Sequence, residues 1–128
     1  MSVVLDSSAL LAFIFHEPGT QMVVEHLDEH AMISAVNWSE VVQKVAHKGK
    51  DAQQLGEWVL ALGPQVEPFD RGAAYAAAAL FPTTSRFGLG LGDRACLTLA
   101  TFRNVPVLTA DQTWAKIPDL GIEVQLIR

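Results

Sequence analysis

The chain alternates short apolar runs with longer segments in which apolar residues recur every three or four positions. The short runs are typical of strands buried on both faces, and they occupy residues 3–5, 31–33, 66–69, 105–109 and, at a possible sheet edge, 122–127. The longer segments predict helices over residues 7–15, 19–27, 34–48, 51–62, 71–80 and 93–103, with a helical turn at 111–116. A polar, glycine-rich stretch at 82–92 is predicted to be a loop.

This order of strands and helices predicts an α/β fold. Short strands joined by helical crossovers form a mainly parallel sheet with right-handed connections and helices on both faces, which is a three-layer α/β/α sandwich. The chain has 128 residues, of which 50% are hydrophobic. Residues 1–128 are therefore expected to form a single domain around one sheet. In folds of this kind, ligands bind beyond the carboxyl ends of the strands.

Four acidic residues are predicted to converge at that edge of the sheet. Asp6 directly follows the first strand, and Asp111 follows the fourth with one residue between. The helix that starts at Asp93 is about 15 Å long at roughly 1.5 Å per residue, and the next strand runs back about 16 Å. Asp93 and Asp111 should therefore lie at the same edge. Glu40 lies within the first two turns of the helix after the second strand, so it also starts there.

Carboxylates gathered in this way need a compensating cation. Two unit charges about 4 Å apart repel by roughly 4 kcal/mol at an effective dielectric constant of 20. Oxygen ligands without nearby Cys or His favour Mg²⁺ over zinc, and Mn²⁺ can take its place. One or two such ions could hold a scissile phosphate and activate water, so the acids predict a phosphodiester-cleaving enzyme.

The overall charge bears on whether the substrate is a nucleic acid. Nine Lys plus Arg against 14 Asp plus Glu give a net charge of −5, which opposes simple attraction to phosphates. Without the four candidate ligands, ten acids face nine bases, so the remaining surface is nearly neutral. The basic residues available for phosphate contacts are Arg71, Arg86, Arg94, Arg103, Lys44, Lys48 and Lys116. The acidic net charge therefore does not exclude a nucleic-acid substrate.

The single cysteine, Cys96, lies in an apolar stretch. A buried, reduced thiol is expected there rather than a disulfide partner or a nucleophile, and a cytoplasmic location fits it best. The apolar run at residues 10–15 is too short to span a bilayer, and no basic segment precedes it. Neither an export signal nor a membrane anchor is predicted.

Four segments around the acids resemble a known family. They are residues 4–10 (VLDSSAL), 34–42 (SAVNWSEVV), 91–97 (LGDRACL) and 108–111 (LTAD). In this order they are similar to segments of the PIN-domain ribonucleases, and more narrowly of VapC-type toxins from type II toxin–antitoxin operons. The resemblance covers nearly the whole chain and implies a PIN-like fold.

The resemblance also implies a site and its partners. It implies Mg²⁺-dependent endonucleolytic cleavage of RNA, a homodimer, and inhibition by a cognate antitoxin that occupies the acidic cleft. Some relatives carry a further acid shortly after the fourth, where this chain has Trp114, so the number of metal ions stays open. The implied carboxylate ligands are Asp6, Glu40, Asp93 and Asp111. The implied supporting hydrogen-bonding residues are Ser7, Asn37 and Thr109.

Helix capping is the structural alternative for these acids. The three aspartates each precede a predicted helix or helical turn, where a capping Asp is ordinary. Asn37 and Glu40 have the spacing of a capping box, although Ser34 would cap the helix equally well and leave Glu40 uncommitted. Four independent caps on one sheet edge would be a coincidence, which favours the metal site.

Two further patterns are similar to ligand-binding motifs. Gly88, Gly90 and Gly92 suggest a phosphate-binding loop, but no strand precedes them and no Lys-Ser/Thr pair follows, so a mobile loop is favoured. His26 and His30 have a metal-ligand spacing, but His30 falls where its helix should end. Both histidines are expected at the surface.

The three tryptophans are interpreted separately. Trp38 lies on an apolar helix stripe and is predicted to belong to the core. Trp58 and Trp114 could equally be core residues, dimer contacts or base-stacking residues.

Two other functions remain as hypotheses. A phosphoacceptor receiver domain shares this length, a doubly wound sheet and an acidic Mg²⁺ pocket. Asp70 could supply its acceptor after the third strand, but Lys116 lies past the strand end at which a receiver needs a lysine. The other hypothesis is a PIN scaffold that has lost catalysis. The sequence assigns neither the RNA that is cut nor the antitoxin.

Overall fold

The computed structural model describes all 128 residues, Met1–Arg128. The strands are β1 (Val3–Leu5), β2 (Ala31–Ser34), β3 (Gln65–Glu67), β4 (Val107–Thr109) and β5 (Val124–Leu126). The α-helices are α1 (Ser7–Ile14), α2 (Thr20–Val24), α3 (Ala35–His47), α4 (Ala52–Leu60), α5 (Arg71–Ala79), α6 (Phe81–Thr84) and α7 (Leu91–Arg103). Two 3-10 helices cover Ser85–Phe87 and Gln112–Lys116.

The five strands form one sheet in the order β3-β2-β1-β4-β5, and every neighbouring pair is parallel. Val4 of β1 is paired with Met32 on one side and with Val107 on the other. The strand order changes direction between β1 and β4, where crevices form at the carboxyl ends of the strands. The prediction of an α/β fold with a mainly parallel sheet is confirmed, and the sheet is parallel throughout.

Side chains alternate between two apolar layers on opposite faces of the sheet. Val3 and Leu5 of β1 pack with apolar residues of α1, α2, α3 and α4. Val4 faces the other way and packs with residues of α7 and with Trp114. Because strands have a side-chain period of two and both faces are covered, each short strand is apolar throughout.

The prediction of a loop at 82–92 is wrong for most of that segment. Residues 81–84 form α6 and residues 85–87 a 3-10 helix, while α7 begins at Leu91 rather than at Asp93. Pro82 lies in the first turn of α6, where its fixed φ and missing N–H are tolerated. A one-turn helix is too short to show apolar periodicity, so its sequence resembles a loop.

Other element bounds also differ from the prediction. β4 begins at Val107, because Pro106 has no N–H to give to a strand ladder. α2 ends at Val24, so His26 and His30 both lie outside a helix and do not share a helical face. No helix of the protein combines the length and the apolar character that a membrane crossing requires.

The tryptophans occupy three different environments. Trp114 is fully buried and belongs to the core. Trp58 is 54% exposed, and its ring stacks on Phe13 with 6.1 Å between ring centroids. Trp38 is only partly buried and packs at the margin of the core, so it is less buried than its predicted core position implied.

Candidate functional site

Asp6 lies at the carboxyl end of β1, next to the end of β4. Its backbone N–H donates to the carbonyl of Leu108 at 2.9 Å, and the residue is 3% exposed. Its Oδ2 accepts hydrogen bonds from Ser8 Oγ at 2.6 Å and from Thr109 Oγ1 at 2.8 Å. Although Asp6 precedes α1, its side chain makes no capping bond to that helix. Helix capping therefore does not explain this acid.

The charged form of Asp6 is unfavourable in this position. Burial raises the pKa of Asp6 to about 6, and the hydrogen bonds from Ser8 and Thr109 counter only part of that effect. The negative charges of Asp93 and Glu40 raise the pKa further. Its other oxygen, Oδ1, is buried without any hydrogen-bond partner. A buried acceptor without a donor is the kind of group that a cation can satisfy.

Glu40 lies in the second turn of α3 and reaches towards α1. Its Oε1 accepts from Ser7 Oγ at 2.9 Å and from Asn37 Nδ2 at 3.1 Å. Asn37 is buried and also donates to the carbonyl of Gly92 at 2.8 Å. Ser34 caps α3 through the backbone N–H of Val36, so Glu40 is not needed for the cap.

Gly92 allows Glu40 to lie directly over the first turn of α7. A Cβ added to Gly92 would lie 2.6 Å from Glu40 Cδ, whereas a Cβ at Gly90 would meet nothing within 4 Å. The missing side chain at position 92 therefore brings the two helices and their acids together. The interpretation of these glycines as part of a mobile loop was wrong for Gly92, which is helical and buried.

Asp93 is the third residue of α7 and not its N-cap, but its side chain binds back to the N-cap residue Gly90 as in a capping box, so capping accounts for part of its role. Its Oδ2 accepts from the backbone N–H of Gly90 at 2.9 Å. Burial raises the pKa of Asp93, and the charges of Glu40 and Asp111 add to this effect, while the hydrogen bond from Gly90 and the charge of Arg94 counter it. Asp93 thus lies within electrostatic range of all three other acids.

Asp111 follows β4 with one residue between, and it is exposed. Its Oδ1 accepts from the backbone N–H of Thr113 at 3.0 Å, so it does cap the 3-10 helix that follows. Its own backbone N–H donates to Thr109 Oγ1 at 3.0 Å. For Asp111 the capping interpretation and the ligand interpretation are both compatible with the geometry.

Ser8 is a site residue that the sequence analysis missed. Its hydroxyl bonds Asp6 Oδ2, lies 3.3 Å from Thr109 Oγ1 and accepts the backbone N–H of Ala110 at 2.9 Å. The available signal was a hydroxyl two residues after a strand-ending carboxylate. Ser8 and Thr109 together fix the rotamer of Asp6 from both flanking segments.

The oxygen donors at this edge suit a hard divalent cation. In the present arrangement no group of three or more His, Cys, Asp or Glu side chains lies close enough to hold a metal ion, because each carboxylate turns to hydrogen-bond donors of its own. The neighbouring acids nevertheless raise the pKa values of Asp6 and Asp93, and Asp6 Oδ1 is unpartnered. An all-oxygen set of this kind fits Mg²⁺ or Mn²⁺.

Three residues that the sequence singled out lie outside this cluster. Asp70 caps α5 by accepting the backbone N–H of Ala73 at 2.9 Å, and the sheet order differs from the 2-1-3-4-5 order of receiver domains. The receiver hypothesis therefore lacks both its acceptor position and its topology. Trp114 is buried in the core and adds no ligand. Cys96 is a free, buried thiol, as expected.

Comparison with known proteins identifies chains of the same fold. A sequence comparison with curated proteins finds no significant match. A toxin–antitoxin complex from Klebsiella pneumoniae contains a similar chain, with 20% identity, a TM-score of 0.76, and coverage of 99% of this chain and 98% of that one.

Two other solved structures have the same fold. One is VapC20 of Mycobacterium tuberculosis, described as a sarcin–ricin loop cleaving toxin, with 13% identity, a TM-score of 0.75, and coverage of 90% and 95%. The other is the DNA-bound VapBC of Salmonella typhimurium, with 18% identity, a TM-score of 0.73, and coverage of 100% and 99%. The sequence model of the PIN domain matches residues 3–120, and the chain therefore belongs to the PIN-domain family.

Proposed function

We propose that this protein is a Mg²⁺-dependent endoribonuclease whose site consists of Asp6, Glu40, Asp93 and Asp111. The observation that carries the proposal is the state of Asp6. It is a fully buried carboxylate with an unpartnered oxygen, and its pKa is raised by burial and by two neighbouring acids. Such a group is costly to keep ionised unless a cation binds beside it.

The four carboxylates would hold the metal, and other side chains would hold the carboxylates. When bound, Mg²⁺ would polarise the phosphate and lower the pKa of an attacking water. Ser8 and Thr109 fix Asp6, while Asn37 and Ser7 fix Glu40. These hydroxyl and amide donors support the carboxylates, some of which would have to turn towards one another on binding, since no three of them now lie close enough to hold an ion.

Two kinds of observation support RNA as the substrate. The chain belongs to the PIN-domain family, and one chain of the same fold is described as a toxin that cleaves the sarcin–ricin loop. A carboxylate site of this type can act on a phosphodiester only when the metal offsets repulsion between the acids and the phosphates. The acidic net charge is concentrated where that metal would bind.

We further propose that the nuclease is the toxin of a toxin–antitoxin pair and forms a homodimer. Several chains with this fold come from toxin–antitoxin complexes. Exposed large apolar side chains, among them Trp58, Tyr75 and Phe102, are available for contact with protein partners.

Cleavage of RNA by paired variants tests this function. Asp93→Asn keeps the shape of the side chain but removes its negative charge, and it should abolish cleavage in Mg²⁺ while preserving the fold. Asp119→Asn is the matched control, because Asp119 is exposed, has a positive φ that Asn tolerates and lies outside the cluster. Cleavage by Asp93→Asn at the control rate, or wild-type cleavage in excess EDTA, contradicts the proposal.

The absence of any cleavage by folded wild-type protein would instead favour an inactive PIN scaffold. Growth arrest on induced expression, relieved by a co-expressed short gene from the same operon, would support the toxin role. Active enzyme that accumulates harmlessly would contradict it.

A further inference from the structure

A groove of about 410 Å³ opens beside Glu40, between α1 and α3. It is not the acidic cluster itself but an extension of it, since only one of the four acids lines it. The lining residues are Ser7, Leu11, Glu40, Gln43, Lys44 and His47. All but Leu11 are polar, and four of them come from one helix.

The four residues from α3 lie on one face of that helix. Their spacing of three and four residues places Glu40, Gln43, Lys44 and His47 in a row. Lys44 lies about one turn from Glu40 and His47 about two turns, which corresponds to roughly 6 and 11 Å along the helix axis at about 1.5 Å per residue. The groove therefore leads from a carboxylate of the site to a lysine and a histidine.

Apart from Glu40, the polar side chains of this row make no hydrogen bonds or ion pairs within the protein. Gln43, Lys44 and His47 are exposed, and none of the side-chain hydrogen bonds or ion pairs of the protein involves them. Lys44 and His47 lie in the last turn of α3, where basic side chains interact favourably with the helix dipole. That interaction does not require the two side chains to line a groove.

Several other basic side chains are already engaged. Arg103 pairs with Glu67 at 3.2 Å, and Lys48 lies over the ring of Phe15 at 5.9 Å. Arg94 donates to the carbonyl of Ala77 at 3.0 Å. Lys44 is thus an unengaged cation that shares a cavity with one of the four acids.

We propose that Lys44 and His47 form a phosphate-binding subsite for the RNA strand as it leaves the acidic cluster. The subsite rests on the ribonuclease function proposed above. The ammonium of Lys44 would contact a phosphate next to the scissile one, and an N–H of His47 would contact the following phosphate. Contacts of this kind position a strand without reading its sequence.

Binding of a labelled single-stranded RNA of mixed sequence, measured by fluorescence anisotropy at several salt concentrations, tests this subsite. Ca²⁺ replaces Mg²⁺ in the assay, and a gel verifies that the RNA stays intact. The variants are Lys44→Ala and His47→Ala. The matched control is Lys50→Ala, which removes the same charge from an exposed position just beyond α3.

Lys44→Ala should weaken binding about three- to fivefold, as for an exposed ionic contact. The slope of log affinity against log salt should fall by about 0.7, which corresponds to one phosphate contact on a single strand. His47→Ala should weaken binding to a smaller extent, and Lys50→Ala should leave affinity and slope unchanged.

Equal effects of Lys44→Ala and Lys50→Ala in a protein that binds and cleaves RNA would overturn the subsite alone. Wild-type protein that binds the cation but shows no affinity for RNA would overturn the subsite and the ribonuclease function together. A stability change in Lys44→Ala without a change in salt slope would show that the lysine serves only the helix end, and it would overturn the subsite as well.

Discussion

The hydroxyl of Thr109 links two acids of the site. It donates to Asp6 Oδ2 at 2.8 Å and accepts the backbone N–H of Asp111 at 3.0 Å. Asp6 directly follows β1 and Thr109 ends β4, and these strands are neighbours in the sheet although they are far apart in the sequence. One buried hydroxyl therefore sets the position of both carboxylates relative to the sheet.

Thr109→Val should remove this link while keeping the shape of the side chain. Loss of a hydrogen bond to an acid costs about 1 kcal/mol or more of unfolding free energy, and the pKa of Asp6 should rise above its value of about 6. Mn²⁺ affinity should therefore fall most at pH 6 and partly recover at pH 8. Thr109→Ser keeps the hydroxyl and serves as the control. A Val variant with wild-type affinity at pH 6 would show that the hydroxyl is not a positioning group.

Gly92→Ala should displace Glu40 without unfolding the protein. The new Cβ would lie 2.6 Å from Glu40 Cδ, and the flexible carboxylate would rotate away from Ser7 and Asn37. Loss of such supporting contacts typically lowers metal affinity about tenfold or more, which calorimetry can measure. Gly90→Ala is the control, because its Cβ meets nothing. Equal metal affinity in the two variants would contradict the close packing inferred for Gly92.

Asp6→Asn should stabilise the protein in EDTA at neutral pH. Burial raises the pKa of Asp6 from 3.8 to about 6, so the folded state binds a proton more tightly than the unfolded state. Stability then falls as pH rises through this window, by up to about 3 kcal/mol. Urea denaturation should show a gain for Asp6→Asn at pH 7.5 that vanishes near pH 4, with Asp119→Asn unchanged throughout. If Asp6→Asn were less stable than wild type at pH 7.5, burial of a charged Asp6 would not be costly and the prediction would be wrong.

Metal binding should depend on pH through the same carboxylate. A cation competes with the proton on Asp6, whose pKa is about 6, and the raised pKa of Asp93 acts in the same direction. For each proton that the metal displaces, the apparent affinity for Mn²⁺ should rise by up to about tenfold per pH unit below pH 6, and it should level off above that pH. Titrations at pH 5, 6, 7 and 8 measure this, and a flat profile between pH 5 and 7 would contradict it.

Much of the site follows from topology that the sequence makes visible. The ends of strands locate Asp6 and Asp111. Asp93 is located by the helix that starts there, because the strand that follows this helix runs back over nearly the same length. These inferences need only element order and length, because parallel strands share one carboxyl edge. Apolar runs and helical periodicity are strong signals for the order and the length of these elements.

The rest of the site depends on contacts between distant segments. Ser8 bonds residues about one hundred positions away, and Gly92 is required only because Glu40 packs on it. Neither contact leaves a local pattern in the sequence. The short α6 was missed for a related reason, since its single turn is held by Thr84 bonding back to Leu80 rather than by an amphipathic face.

Calorimetric titration of the metal-free protein with Mn²⁺ at pH 7.5 tests the carboxylate metal site most directly. Wild type and Asp119→Asn should bind the ion saturably, with the stoichiometry reporting one site or two, and Asp6→Asn and Asp93→Asn should each lose most of that affinity while remaining folded. The absence of saturable binding to wild type, or equal binding to all four proteins, would contradict the metal site on which the proposed function depends.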